Sequence, residues 1–181
     1  CGCAEIAKSA VIDSDDFFFW LVDAAGALAA RDEVVVEEAI ARSVVFKADV
    51  VAADKSESKG VRECLNYGHT LGHAVESLAG YGAFSHGAAV AEGMRFAARM
   101  AVSLVDAPLD LVETQDSLLD QLGLPALDWS AEPEAMLEAM KRDKKARGGK
   151  VRFVLPRDVG DWELVDVEDD VILEHLAAWQ G

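Results

Sequence analysis

Strand-forming sequence is confined to one stretch near the end of the chain, and that confinement sets the expected fold class. Lys150–Leu155 (KVRFVL) is rich in β-branched and aromatic residues and follows the turn residues Arg147-Gly148-Gly149. Asp161–Val165 is placed to pair with it. Everything before reads as a succession of helices. Asp13-Ser14-Asp15-Asp16 offers an N-cap and an acidic first turn ahead of Phe17–Ala30. A longer helix is expected from Glu33 to Val51, with Val36, Ile40, Val44 and Val51 on one stripe. Lys55–Gly60 is polar and reads as a loop. Asn66 is expected to cap a helix through Ala79, which Gly80-Tyr81-Gly82 then breaks. Ser85 is expected to cap the next helix, His86 to Val105, whose many Ala and Gly residues let neighbouring backbones approach and mark it as central. Pro108–Leu122, Glu132–Lys141 and a final Val167–Trp179 complete the series. The expected class is mainly α, a helical bundle-like domain with a small β-hairpin near the C-terminus. The sequence contains no GxGxxG, no P-loop and no strand–helix alternation, so a dinucleotide-binding domain is not expected within it.

At 181 residues and 51% hydrophobic, the chain can bury one substantial core, and a single domain over residues 1–181 is expected. Acidic residues outnumber basic ones 33 to 17, for a net charge of −16. That surplus argues against nucleic acid or an anionic membrane as partner, because phosphate backbones attract basic surfaces. It leaves room for a small anion held by a few converging lysines and arginines. Apolar runs are short and the mean hydropathy is only +0.12, so no membrane span is expected. No signal-peptide pattern opens the chain, and a cytoplasmic location is the expectation. Cys1, Cys3 and Cys64 form neither a disulfide framework nor a zinc knuckle and read as ordinary thiols. The chain begins with Cys1 rather than Met and is expected to be part of a longer polypeptide.

Three of the four histidines, His69, His73 and His86, fall within 18 residues. His69 and His73 stand four apart, which puts both imidazoles on one helix face. Such a pair is a natural two-ligand metal site, and His86 opens the next helix close enough to fold back. Glycines beside the histidines (Gly68, Gly72, Gly87) are expected to leave room around the rings. The positive end of a helix also disfavours protonated imidazole, which biases rings in a first turn toward the metal-binding form. The pair lacks the glutamate of HExxH, so a zincin protease is not supported. Spacing alone selects His69 and His73 as ligands and names no carboxylate partner. His175, in Leu173-Glu174-His175-Leu176, reads as a surface or packing residue.

The run Arg62-Glu63-Cys64-Leu65-Asn66-Tyr67-Gly68-His69-Thr70-Leu71-Gly72-His73-Ala74-Val75-Glu76 resembles the RxxLNxGHTxGHAxE signature of 3-dehydroquinate synthases. Ser85–Met94 is similar to the family's HGxAVxxGM segment. Ala4-Glu5-Ile6-Ala7-Lys8 resembles its AExxK motif, and Phe46–Val51 its KAxVV segment. Asp143-Lys144-Lys145 with Val151–Pro156 resembles its DKK…RFVLP ending. These motifs stand in family order from Glu5 to Pro156. Lys55–Val61 is slightly longer than the family pattern.

The resemblance implies a metal, zinc or cobalt, held by Glu5, His69 and His86. It moves His73 from ligand to a catalytic or phosphate-holding role. Lys8, Lys47, Arg62, Asn66, His73 and the pair Lys144 and Lys145 are implied to grip the carboxylate and phosphate of a sugar-phosphate substrate, with Lys8 and Asn66 also catalytic. Arg forks onto planar anions and Lys supplies a compact charge, so the residue types suit the task. The implied activity is the NAD-dependent, phosphate-eliminating conversion of 3-deoxy-D-arabino-heptulosonate 7-phosphate to 3-dehydroquinate, in the shikimate route to aromatic amino acids. NAD+ would be bound mainly by an N-terminal Rossmann-like domain that this sequence does not contain. The isolated chain is therefore expected to be inactive, and the full enzyme to be a homodimer. Two other readings remain open: a related cyclase with an amino-dehydroquinate or valiolone-type product, and a non-catalytic helical module. An alcohol or glycerol dehydrogenase of related architecture fits the GHTxGHAxE run poorly.

Overall fold

The structure is a computed structural model that describes residues 2–55, 60–80, 82–143 and 150–179. Its elements run α1 (Gly2–Asp13), α2 (Asp15–Ala29), α3 (Glu33–Ala53), a 3-10 helix (Val61–Asn66), α4 (His69–Ala79), α5 (His86–Leu104), α6 (Leu109–Gln121), α7 (Pro133–Asp143), β1 (Val151–Asp158), β2 (Asp161–Val167) and α8 (Asp169–Trp179). The mainly α class with one C-terminal hairpin is as expected. β1 and β2 pair antiparallel, Val151 opposite Val167 and Leu155 opposite Glu163, with an irregularity after Pro156. Proline has no N–H to give the ladder, which suits it to that break.

Local chemistry explains most boundaries. The Ser14 hydroxyl accepts from Phe17 N at the start of α2, and the Asp32 carboxylate accepts from Val34 N and Val35 N at the start of α3. Ser85 accepts from Ala88 N at the start of α5. Helix α1, which carries the AExxK residues, was not delimited by any cap signal in the sequence.

Several boundaries differ from expectation. Asn66 ends the 3-10 helix instead of capping α4; the residue before α4 is Gly68, at φ +78°, a conformation glycine adopts without strain. Pro108 sits at the N-cap of α6, one residue before the helix. Helix α7 begins at Pro133 and continues to Asp143, and Val167 belongs to β2, not to the last helix. Residues 56–59 of the expected loop, Tyr81, and the turn Arg147-Gly148-Gly149 lie outside the described residues.

Helix α5 is the centre of the fold, with thirteen of its residues buried, and it packs on α1, α4, α6 and β1. On its other side α4 meets α7, and α7 in turn meets α8. Phe17, Phe18 and Leu21 of α2 are fully buried, each worth roughly 1.5–3 kcal/mol in apolar area removed from water.

Of the stripe Val36, Ile40, Val44 and Val51, only Val36 packs against this core, and the other three are exposed. Ile40 is 51% exposed and Val44 60% exposed, whereas α3 buries Ala39, Phe46 and Val50 instead. The buried face lies a fraction of a turn around the helix from the more continuous apolar stripe. Periodicity located a stripe but not the neighbour that would cover it. Among the described residues no helix is long and apolar enough to cross a membrane.

Candidate metal centre

The candidate centre lies where α1, the 3-10 helix, α4 and α5 meet. What brings α4 and α5 together is the absence of side chains. A Cβ at Gly93 would stand 1.8 Å from the Gly68 carbonyl oxygen, and one at Gly68 would stand 2.6 Å from the Val90 carbonyl oxygen. Gly68 and Gly72 therefore admit the backbone of α5. The close crossing places His86, first residue of α5, over His69 and His73 on α4. The His69 ring centroid lies 5.3 Å from that of His73 and 5.4 Å from that of His86, and His73 and His86 are 6.1 Å apart.

Helix α1 supplies the carboxylate. Glu5 Oε2 accepts a 2.7 Å hydrogen bond from Lys8 Nζ, one turn along the helix. Lys8 Nζ also donates to the Leu65 carbonyl, at 2.6 Å, so this buried lysine ties α1 to the 3-10 helix. The other Glu5 oxygen, Oε1, is shut off from solvent and has no hydrogen-bond partner. It faces His69 Nε2 at 3.5 Å.

That pairing constrains the chemistry. His69 Nδ1 lies 3.1 Å from the Tyr67 carbonyl oxygen, and a carbonyl can only accept, so Nδ1 carries a proton. Burial, with the nearby Lys8 charge, pushes the His69 pKa down to about 4, so the ring is neutral and Nε2 bears a lone pair. Burial raises the Glu5 pKa, but the hydrogen bond and charge of Lys8 lead the opposing effects, and the carboxyl is held below its ordinary value. A lone pair and a carboxylate oxygen thus face one another with no proton between them. Glu5, His69 and His86 each offer a ligand atom within 4.8 Å of the others. A divalent cation fits this donor set, two imidazoles and one carboxylate, with positions left for substrate oxygens.

A second set, His73, Glu76 and His86, also brings ligand atoms within 4.8 Å and shares His86 with the first. Glu76 Oε2 lies 3.2 Å from His86 Nδ1. Glu76 falls three residues after His73 and seven after His69, on the same face of α4, and the motif assigns it no role. No sequence signal marks the support that Tyr67 gives. Tyr67 is fully buried, and its hydroxyl donates to Gln115 Oε1 at 2.6 Å, while Gln115 Nε2 donates to the Met94 carbonyl. Burial drives the Tyr67 pKa upward, so it remains a phenol. This anchoring fixes the carbonyl that orients His69.

The remaining expected site residues lie around this cluster. Lys47, exposed on α3, is near enough to depress Lys8, whose pKa is lowered first by burial and partly restored by Glu5. Arg62 and Asn66 both belong to the 3-10 helix that Lys8 holds, Arg62 half-buried and Asn66 exposed at its end. Lys144 and Lys145 lie outside the described residues, immediately after α7, which packs on α4. Cys64 is buried, and burial raises its thiol pKa to about 11 despite the opposing Lys8 charge, so it is not a reactive thiol. His175 lies apart from the cluster, 3.1 Å from Ser103 Oγ.

Residues 2–146 match the family described as 3-dehydroquinate synthase C-terminal. The 3-dehydroquinate synthase of Rhodopirellula baltica is 42% identical over 178 residues, 98% of this chain and 48% of that protein. That of Xylella fastidiosa strain M12 is 44% identical over 183 residues, 97% of this chain and 49% of the relative. The chain thus spans about half the length of the curated relatives it matches. Among solved structures, a Streptomyces hygroscopicus 2-epi-5-epi-valiolone synthase with NAD+ and Zn2+ bound superposes with a TM-score of 0.81 at 24% identity, over 98% of this chain and 50% of the other. A 2-deoxy-scyllo-inosose synthase complexed with carbaglucose-6-phosphate, NAD+ and Co2+ gives 0.76 at 23% identity, over 98% and 50%. These structural likenesses establish the fold. With the family match and the close relatives, the chain belongs to the 3-dehydroquinate synthase family.

Proposed function

We propose that this chain carries the metal- and substrate-binding half of a 3-dehydroquinate synthase, acting on 3-deoxy-D-arabino-heptulosonate 7-phosphate. The observation that carries the reading is the unpartnered Glu5 Oε1 facing the His69 Nε2 lone pair, with His86 beside them. Glu5, His69 and His86 would hold Zn2+ or Co2+, which would lower the pKa of a substrate hydroxyl, and NAD+ would supply the hydride chemistry. The 42–44% identity to named 3-dehydroquinate synthases favours dehydroquinate over the valiolone-type product, whose representative is only 24% identical.

The chain's own residues bind and orient on this reading. Lys8 holds Glu5 ionised with one N–H and the 3-10 helix with another, leaving a third N–H for a substrate anion. Lys47, Arg62, Asn66, Lys144 and Lys145 supply donors for carboxylate and phosphate. His73 stands beside the ligand rings and serves to move a proton or hold the phosphate. Burial of Lys8 in particular makes its charge count, since less water screens it. The NAD+ site is furnished mainly by a Rossmann-like region outside these residues, in keeping with relatives about twice as long. A homodimer and a cytoplasmic location belong to the same proposal.

Metal analysis tests the centre: wild-type chain should bind one zinc, and Glu5→Ala, His69→Ala and His86→Ala should each lose it. Undiminished zinc in these variants overturns the ligand assignment. Turnover of the keto-acid phosphate with NAD+ is expected from the longer polypeptide and not from this chain alone. Activity of the isolated chain would refute that division.

A further inference from the structure

We infer that Glu76 is a positioning residue, whose carboxylate holds the Nδ1 proton of His86 and thereby commits the Nε2 lone pair of that ring to the centre formed with Glu5 and His69. The inference rests on the metal reading above and goes beyond it by naming what decides between two ligand sets. Both sets, Glu5/His69/His86 and His73/Glu76/His86, are geometrically able to gather a cation, and both need His86. A ring can join only one of them through a given nitrogen.

His86 is held less tightly by packing than His69. It opens α5 and its side chain is 41% exposed, against 14% for His69. Ring contacts with His69 and His73 do not choose its tautomer. Glu76 is placed to do so, 25% exposed, with Oε2 3.2 Å from His86 Nδ1. A carboxylate only accepts, so the proton sits on Nδ1 and that nitrogen is closed to metal. Nε2 is left with the lone pair. The Tyr67 carbonyl does the same for His69 Nδ1, so both rings present Nε2 and both have Nδ1 blocked by an oxygen acceptor. The two devices differ in one respect. His69 is set by a main-chain oxygen that no substitution removes, whereas His86 depends on one side chain. An anionic acceptor on the far nitrogen also makes the imidazole a stronger donor to the metal. On this assignment Glu76 is an outer support for the ligand and not a ligand itself, and His73 stays available for substrate.

Competition for Zn2+ between the 181-residue chain and a chromophoric chelator tests this, with metal-free melting temperatures and the visible spectrum of the Co2+-loaded chain recorded alongside. Glu76→Ala is expected to weaken zinc roughly 10- to 100-fold and to alter the Co2+ bands while the metal-free melting temperature holds. Glu76→Gln, whose amide oxygen still accepts from Nδ1, is expected to restore most of the affinity, and His73→Ala to leave it within a few-fold. If Glu76→Ala does not fold, Glu76→Leu takes its place against Glu76→Gln. Wild-type affinity in Glu76→Ala overturns the inference and leaves the metal reading intact. Equal loss in Glu76→Gln, Glu76→Ala and His73→Ala makes Glu76 a ligand and also overturns it. A wild-type chain that takes up no zinc, or one indifferent to Glu5→Ala and His86→Ala, defeats the metal reading and the inference together.

Discussion

The seam between α4 and α5 buries small residues, whereas α3 exposes large ones. At the seam, Gly68, Gly72 and Gly93 bring backbone against backbone, and the histidines on both helices are thereby held within a few ångströms of one another. Helix α3 is the longest in the fold, yet among its residues only Ala39, Phe46 and Val50 are buried, while Val34, Ile40, Val44 and Val45 stand in solvent. Both regions contribute to the proposed site, the seam with metal ligands and α3 with Lys47. The contrast matches their tasks. A cation needs donors fixed to a fraction of an ångström, and rigid close packing provides that. A lysine reaching an anion works through a flexible stem and tolerates a looser base.

Substitutions can break or sharpen this contrast. The largest expected effect is at the seam. Gly93→Ala puts a Cβ 1.8 Å from a backbone oxygen that cannot swing aside. It should cost about 3 kcal/mol or more and abolish zinc binding without touching a ligand, read by thermal melting and metal analysis. A variant that melts like wild type would show that the seam can spread.

The next effect is pH-dependent and comes from His69. Its folded pKa is pushed to about 4, below an unfolded value of about 6.5, so between those limits the unfolded chain binds more protons. Metal-free stability should therefore be full above about pH 6.5 and fall as pH drops toward 4, by on the order of 2 kcal/mol. Glu5, whose carboxyl is held low, adds its own loss only at still lower pH. Urea denaturation at pH 7 and pH 5 checks this, and His69→Gln should flatten the difference. Tyr67→Phe comes next, because it leaves Gln115 Oε1 buried without its donor. A cost of about 1–2 kcal/mol is expected by chemical denaturation, with weaker zinc binding as the His69 support loosens. The smallest effect belongs to α3. Val44→Ser should change stability by no more than about 0.5 kcal/mol, since the side chain is 60% exposed. A cost of several times that would mean the face is covered in solution.

Much of the fold was legible because its signals are local. Ser14, Asp32 and Ser85 sit at helix starts, with side-chain oxygens accepting from nearby amides, and such caps are written within four residues of chain. Ser14 and Ser85 were read as caps from sequence. The hairpin was equally visible in KVRFVL. Helix α1 received no helical assignment from sequence, where its residues stood out only as the AExxK motif. Asn66 misled for a physical reason: it is a good capping residue, but Gly68 at positive φ offered a start that also let α5 approach.

The histidine cluster was visible in sequence, but its division of labour was not. Spacing on α4 favours His69 with His73, since two residues four apart share a helix face whatever else surrounds them. Family resemblance, not periodicity, supplied Glu5 and His86. Glu76 shared the α4 face with both histidines, yet nothing local distinguished it from the other acids of a chain that carries 33.

By itself the sequence determined most of the helices, the hairpin, the histidine-bearing face of α4 and, through its motifs, the family. These depend on capping, periodicity and residue identity, all of which act over a few residues. Only the tertiary structure decided which face of α3 is buried, which oxygen of Glu5 is left without a partner, and which nitrogen of His86 Glu76 occupies. Those outcomes depend on contacts between elements far apart in the chain, where a missing Cβ on one helix sets the position of an imidazole on another.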